Sequence, residues 1–227
     1  VTGAAGFFGG RAASFFAEER KEKWNVIATS RRNTKENALV KHGAVFKAGD
    51  LCDFSFCQKI TENVQVIVHA AALSSPWGDY ETNYRANVLA TENLLKAANK
   101  NGVSKFIFIS TPSVYFDFSE KHNIKENDQL PVKPVNNYAA TKLMAEQKVL
   151  AANSATLKTI ALRPRAIIGA EDTVIFPRLI HAYKTGKLKI IGNGKNRCDL
   201  TNARNLIHAV EKCIEADDNA YGEAYNI

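Results

Sequence analysis

Hydrophobic and polar positions along the chain fall into two alternating patterns. Residues 24–29 (WNVIAT), 64–70 (VQVIVHA) and 105–110 (KFIFIS) are short runs rich in Val, Ile and Phe, without clean in/out alternation. That is the pattern of parallel strands buried on both faces. A further short strand is expected at 44–47 (AVFK). Between these runs the spacing becomes helical. Over 83–99, Val88, Thr91, Leu94, Leu95 and Ala98 recur at three- and four-residue intervals, which predicts a helix. Helices are also predicted over 10–20 and 137–153. Strand and helix alternating in this order predict an α/β fold, a doubly wound parallel sheet. After residue 165 the character changes. Short helical pieces at 174–185 and 203–216 alternate with turns such as Gly192-Asn193-Gly194. We therefore expect one domain over 1–165 and, over 166–227, the start of a smaller lobe. The chain opens on Val1 without an initiator Met and stops in a strand-like AYNI, so the expectation is a piece of a longer protein.

Composition excludes more than it selects. The 227 residues are 45% hydrophobic and 23% charged, values ordinary for a globular protein and wrong for a disordered chain or a disulfide-stapled miniprotein. No apolar run reaches the roughly 18 residues of a membrane span, and no signal peptide is visible. The net charge of +7 favours an anionic partner. The basic residues are dispersed rather than clustered, which argues against nucleic acid and leaves a phosphate-bearing small molecule. Cys52, Cys57, Cys198 and Cys213 form no C-x-x-C pair. They are expected to be reduced, structural thiols of a cytoplasmic protein, with Cys198 in a packing role. His42, His122, His181 and His208 lack metal-ligand spacing, so no metal is expected.

Candidate chemistry begins at Gly3-Ala4-Ala5-Gly6-Phe7-Phe8-Gly9, between the end of a first strand and a helix. Small residues there let the chain turn tightly beside a pyrophosphate, and the helix N-terminus adds N–H groups and a positive dipole end. The alternative is a structural glycine-rich turn, and the strand–turn–helix context favours the dinucleotide. After the 24–29 strand stand Ser30, Arg31 and Arg32, with no acidic residue to grip a ribose 2′-OH. An Arg there pairs with a 2′-phosphate, so NADP(H) is favoured and NAD(H) stays possible; the rival reading is two solvated arginines. Asp50-Leu51 follows the 44–47 strand, and Asp50 either accepts from an adenine amino group or caps a turn. Ala70, Ala71 and Ala72 would let a cofactor pass close to the backbone, while His69 is read as a packed strand residue.

Tyr138 and Lys142 stand four apart on one predicted helix face. An ammonium beside a phenol favours the phenolate and makes Tyr a usable proton donor and acceptor near neutral pH. Alone the pair is common by chance. It is joined by Ser110, Thr111 and Ser113 at the carboxyl end of the 105–110 strand, the edge where open α/β sheets bind ligands. The polar stretch 116–136 that follows is long enough to suggest a functional loop.

Taken together, Thr2-Gly3-x-x-Gly6-Phe7-x-Gly9, Gly49-Asp50-Leu51, His69-Ala70-Ala71, Asn87-Val88-x-x-Thr91-x-Asn93, Ser110-Thr111, Tyr138-x-x-x-Lys142 and Leu162-Arg163-Pro164 resemble the extended short-chain dehydrogenase/reductase superfamily over nearly the whole chain. The resemblance implies a Rossmann-type fold with a small C-terminal substrate lobe, incomplete here. It implies a catalytic Thr111, Tyr138 and Lys142, with Lys142 lowering the Tyr pKa and holding the nicotinamide ribose. Asn87, Ser110 and Pro164 would line the cofactor site. Residues 162–172 (LRPRAIIGAED) look most like the branch of 3β-hydroxysteroid dehydrogenases, dihydroflavonol reductases and β-keto acid reductases. The implied reaction is hydride transfer between a secondary alcohol and a ketone. Nucleotide-sugar 4,6-dehydratases carry Asp-Glu after the catalytic Thr, where this chain has Pro112-Ser113. Epimerases share the triad and remain an alternative, as does a non-catalytic cofactor-binding scaffold. Ser113 and Arg197 are candidate substrate contacts, Arg197 for an anionic group, against a solvated loop Arg. Family members often dimerise through the Tyr-bearing helix, so a homodimer is expected.

Overall fold

The computed structural model describes residues 1–75, 77–190 and 192–227. Its strands are β1 (Ile27–Ser30), β2 (Val45–Ala48), β3 (Val66–His69), β4 (Lys105–Ile109), β5 (Lys158–Arg163), β6 (Ala166–Ile168), β7 (Leu200–Asn202) and β8 (Ala224–Asn226). Within the main sheet β1 pairs with β2, β3 with β4, β4 with β5 and β5 with β8, all parallel. Residues 1–2 close the space between β1 and β3, because Thr2 bridges both Thr29 and His69. The Thr29 N–H donates to the Val1 carbonyl at 2.9 Å, and the Thr2 N–H to the Val68 carbonyl at 3.0 Å. The order is therefore β2-β1-(1–2)-β3-β4-β5-β8. The chain grows outward in both directions from residues 1–2, which makes their carboxyl end a topological switch point.

Alternation along β4 sorts two cores to the two faces of the sheet. Ile107 and Ile109 pack with Phe8, Ala12 and Phe16 of helix α1 (Phe7–Glu18) and Leu206 and Val210 of α8 (Ala203–Glu215). Phe106 and Phe108 pack with Cys57 of α3 (Phe54–Thr61), Leu94 of α5 (Ala90–Lys100), and Ala145 and Val149 of α6 (Asn137–Ala151). Helix α2 (Glu36–Lys41) adds Leu39 beside α1. Both faces of the central strand are buried, which is why its sequence lacks alternation.

Three features depart from the sequence pattern. Helix α1 begins at Phe7 rather than at residue 10, so Gly9 and Gly10 are its first turn and not its approach. The helix expected over 83–99 is preceded by α4 (Tyr80–Tyr84) and then a π-helical turn, Arg85–Leu89. The predicted break at 165/166 is crossed by packing: α8 lies on the main core and β8 adds to the main sheet. Residues 166–202 hold the short β6–β7 pair and α7 (Phe176–Lys184), whose Phe176, Leu179, Ile180 and Tyr183 are exposed. The packing role expected for Cys198 is not observed. Its side chain is exposed and its thiol donates to the Asp199 carbonyl at 3.3 Å. Cys57 and Cys213 are buried, and burial pushes their thiols up to about 12 and about 11. Among the described residues no helix is long and apolar enough to cross a membrane, and no three His, Cys, Asp or Glu are grouped to hold a metal.

Candidate active site

The glycine turn sits at the switch point. Gly3 has φ +72°, and a Cβ there would lie 2.7 Å from the Ala71 nitrogen. A Cβ on Gly9 would overlap the Gly3 carbonyl. Gly6 then enters α1 with extended backbone and no side-chain cap. The first-turn N–H groups of α1 thus face a cradle in which only small residues fit. This is the geometry that holds a pyrophosphate. Phe7 and Phe8 contribute backbone there, since both side chains are buried. Ala70 and Ala71 are half-buried above Gly3, and Ala72 is exposed.

At the end of β1, the Ser30 hydroxyl donates to the Arg32 carbonyl at 2.5 Å, and Arg31 and Arg32 are both solvent-exposed. Lys35 was missed by sequence reasoning. Its ammonium donates to the Gly6 carbonyl at 3.3 Å, so a third cation reaches the glycine turn from the loop before α2. The only sequence signal was a Lys shortly after the arginines, which nothing distinguished from a solvated charge. Asp50 is exposed and accepts from the Cys52 N–H at 2.9 Å, while Leu51 is buried.

Thr111, a candidate reactive residue, follows β4, and Lys142 of α6 reaches the same strand end. Thr111 caps the 3-10 turn Pro112–Tyr115, accepting from the Ser113 N–H at 3.2 Å and donating to the Ser113 hydroxyl at 3.1 Å. Asn136 caps α6 by accepting from the Ala139 N–H at 2.8 Å, which starts the helix just before Tyr138. Burial raises the Tyr138 phenol above its usual range, and a hydrogen bond with Thr111 pulls it back. The lowering by Lys142 expected from the sequence is absent here. The Lys142 ammonium instead donates to the Ile109 carbonyl at 2.7 Å and lies 3.9 Å from the centre of the Phe108 ring. Burial drops its pKa to about 7, with Glu146 pulling upward. The Ser110 hydroxyl is buried without a protein partner, so a polar atom at this strand end is left for a bound group. Asn87 and Pro164 are buried beside the site, whereas Arg197 lies in the exposed stretch ahead of β7.

His69 is fully buried beneath the site, between the Thr2 hydroxyl at 2.7 Å from Nδ1 and the Thr91 hydroxyl at 2.9 Å from Nε2. Burial, with the Lys142 charge second, lowers its pKa to about 3. The unfolded chain takes up this proton first. Stability is therefore full above the unfolded value near 6.5 and is lost as pH falls, by about 1.4 kcal/mol per pH unit for this one group. We expect the His69 ring resonance in an NMR titration to stay that of a neutral imidazole down to pH of about 4.5. A midpoint near the free value would contradict the burial argument.

Comparison with known proteins agrees with this arrangement. The sequence model of the NAD dependent epimerase/dehydratase family matches residues 1–227. The 2-alkyl-3-oxoalkanoate reductase of Stenotrophomonas maltophilia is 34% identical over 218 residues, 95% of this chain and 64% of that protein. The human sterol-4-alpha-carboxylate 3-dehydrogenase, decarboxylating, is 34% identical over 80% of this chain and 50% of its own length. The chain thus spans about half to two thirds of these relatives. Among solved structures, a UDP-glucuronic acid 4-epimerase from Bacillus cereus in complex with NAD superposes with a TM-score of 0.84 at 27% identity. The match covers 100% of this chain and 75% of that one. The chain belongs to the NAD dependent epimerase/dehydratase family.

Proposed function

We propose that this chain is the cofactor-binding and catalytic part of an NAD(P)-dependent oxidoreductase that interconverts a secondary alcohol and a ketone. The observation that carries the reading is what gathers at the carboxyl end of β4: Thr111, the buried Ser110 hydroxyl without a protein partner, and Lys142, which stands four residues after Tyr138 on α6 and is anchored on the Ile109 carbonyl. The reductase and dehydrogenase named above act in the same sense.

A nicotinamide held on the glycine turn supplies the hydride acceptor or donor. The rest falls to side chains of this chain. Thr111 directs its hydroxyl at the substrate oxygen and orients it. Tyr138, whose phenol keeps its proton in this buried setting, donates that proton to the oxygen during reduction and takes it back in oxidation. Lys142, held on the Ile109 carbonyl, would favour the phenolate through its charge and would be the residue to hold the cofactor ribose. Gly3, Gly6 and Gly9 admit the pyrophosphate. Asn87, Ser110 and Pro164 would line the site of the nicotinamide, and Ser113 would meet the substrate.

NADP(H) is the favoured cofactor. No carboxylate ends β1, exposed Arg31 and Arg32 follow it, and Lys35 donates to the Gly6 carbonyl of the glycine turn, which supports a cofactor carrying an extra phosphate. Calorimetric titration should show NADP binding at least tenfold tighter than NAD, with Arg31→Ala, Arg32→Ala and Lys35→Ala each eroding that preference. Equal affinities would return the cofactor to NAD, which the epimerase structure holds. Epimerisation of a nucleotide sugar is the second reading, favoured by that structural likeness. Net consumption of NADPH with a panel of β-keto esters and cyclic ketones, ethyl acetoacetate first, supports reduction. Retained NAD with no net redox supports epimerisation. A cytoplasmic location accords with the four free cysteines. A homodimer through the face of α4 and α6 accords with exposed Trp77 and with Tyr80, which reaches Met144 across these helices.

A further inference from the structure

Buried polar side chains run in one series from the glycine turn to α6, and proton counting sets its direction. The Thr91 hydroxyl donates to the Asn87 carbonyl at 2.6 Å, so it must accept from His69 Nε2–H at 2.9 Å. A neutral His69 then accepts at Nδ1, and the Thr2 hydroxyl donates to it at 2.7 Å while accepting from the Ala71 N–H at 3.1 Å. The series reads Ala71, Thr2, His69, Thr91, Asn87.

Asn87 lies in the π-helical turn, a distortion common at functional positions. Its side chain turns away from the series to make a second set of contacts. Oδ1 accepts from the Leu73 N–H at 2.8 Å, and Nδ2 donates to the Leu73 carbonyl at 3.3 Å and to the Thr141 hydroxyl at 3.0 Å. Thr141 spends its own proton on the Asn137 carbonyl at 2.8 Å, so it meets Asn87 as an acceptor. Thr2, His69, Asn87, Thr91 and Thr141 are all buried, where a lost partner is not replaced by water.

Thr141 stands three residues after Tyr138 and one before Lys142. Lys142 ties α6 to the Ile109 carbonyl on the sheet, and Thr141 ties it to the π turn. Two contacts on different sides of one helical turn fix rotation as well as distance. We propose that Thr141 is a positioning residue for the reaction: through Asn87 it sets the rotation of α6, and so the placement of the Tyr138 hydroxyl against Thr111. The proposal rests on the oxidoreductase reading above. Its warrant is the cost of misplacement, since a shift of about 1 Å at a reacting group lowers rates by up to about a hundredfold.

The test uses the full-length protein, NADPH and ethyl acetoacetate. Thr141→Val keeps the volume and removes one of the two acceptors of Asn87 Nδ2, leaving it only the Leu73 carbonyl, while Thr141→Ser keeps the hydroxyl. We expect Thr141→Val to lower kcat about tenfold or more with NADPH affinity, read from nicotinamide fluorescence, within about threefold of wild type. Thr141→Ser should recover kcat to within about threefold. A Val variant with a lowered melting midpoint but unchanged kcat, measured well below that midpoint, overturns the positioning role, as does a Ser variant as slow as Val. A wild type that binds NADPH and reduces the ester while both variants match it also sinks the proposal and leaves the oxidoreductase reading standing. A wild type that binds neither nicotinamide nucleotide and reduces no ketone removes that reading, and the proposal with it.

Discussion

Tyr138→Phe is expected to cut the reduction kcat by about a hundred- to ten-thousandfold while leaving cofactor affinity within about threefold. The substitution removes one oxygen and nothing else. The ring stays packed on α6, and Thr111 keeps its contacts with Ser113. Only the proton donor is lost. Steady-state kinetics and a parallel NADPH titration read the two effects separately, and turnover within a few-fold of wild type would remove Tyr138 from the chemistry. The pH profile carries a second sign. In the proposed mechanism the Lys142 ammonium, held on the Ile109 carbonyl, favours by its charge the phenolate left after proton transfer, and burial lowers its pKa to about 7. The ammonium is present below that value and lost above it. Reduction kcat/KM is therefore expected to decline as pH rises past about 7, and Lys142→Met should flatten that limb along with lowering the rate.

Breaking the buried ion pair of Arg163 and Glu146 should destabilise the fold by about 3–5 kcal/mol. Arg163 Nε and Nη2 donate to the two Glu146 oxygens at 3.0 and 2.5 Å, with both side chains almost fully buried. The pair also anchors a wider set. Arg163 donates to the Tyr115 hydroxyl, which donates to Asn226 Oδ1 at 3.1 Å. Asn226 in turn donates to the Ile124 carbonyl and to Glu126, drawing the 116–136 loop onto β8. Glu146 lies one turn beyond Lys142 on α6, so this cluster ties the catalytic helix, the end of β5 and the loop together. Arg163→Met leaves the Glu146 charge buried and unpaired, which is the costly state. The double replacement Arg163→Met with Glu146→Met removes both charges and is expected to restore most of the stability, though not the loop contacts made through Tyr115. Urea unfolding midpoints of the single and double variants test this. A single variant costing less than about 1 kcal/mol would mean that water reaches the site.

The comparison of sequence with structure is clearest at particular residues. Strand β4 was legible because both faces of a central parallel strand are buried, so Phe106, Ile107, Phe108 and Ile109 are all apolar, whereas β5 (Lys158–Arg163) was not predicted. The glycine turn was legible because Gly3 and Gly9 stand where a Cβ would strike backbone. Thr111, Tyr138 and Lys142 were put forward as a set because they match the motifs of the resembled family, with Thr111 after a predicted strand and Tyr138 and Lys142 on one predicted helix face. What lay beyond the sequence depends on contacts between distant segments. Lys35 looked like a surface charge until the fold brought its ammonium to the Gly6 carbonyl. Cys198 had no sequence signal to separate a packed thiol from an exposed one. The π turn at Arg85–Leu89 interrupts an otherwise regular helical pattern, and spacing alone gives no sign of it. Leu206 and Val210 of α8 meet Ile107 and Ile109 of β4, a contact between distant segments that no local pattern carries.

Sequence by itself therefore determined the layered α/β fold and the tight glycine turn, and it named the candidate reactive side chains. The first two follow from burial periodicity and steric exclusion at glycine, the last from the resemblance to a family. Tertiary structure alone decided the protonation of those side chains. The Tyr138 phenol is held up and the Lys142 ammonium brought down by burial, and Lys142 turns to the Ile109 carbonyl rather than to the phenol. A pKa depends on the solvent, charges and dipoles around a group, and those arrive only when the chain has folded.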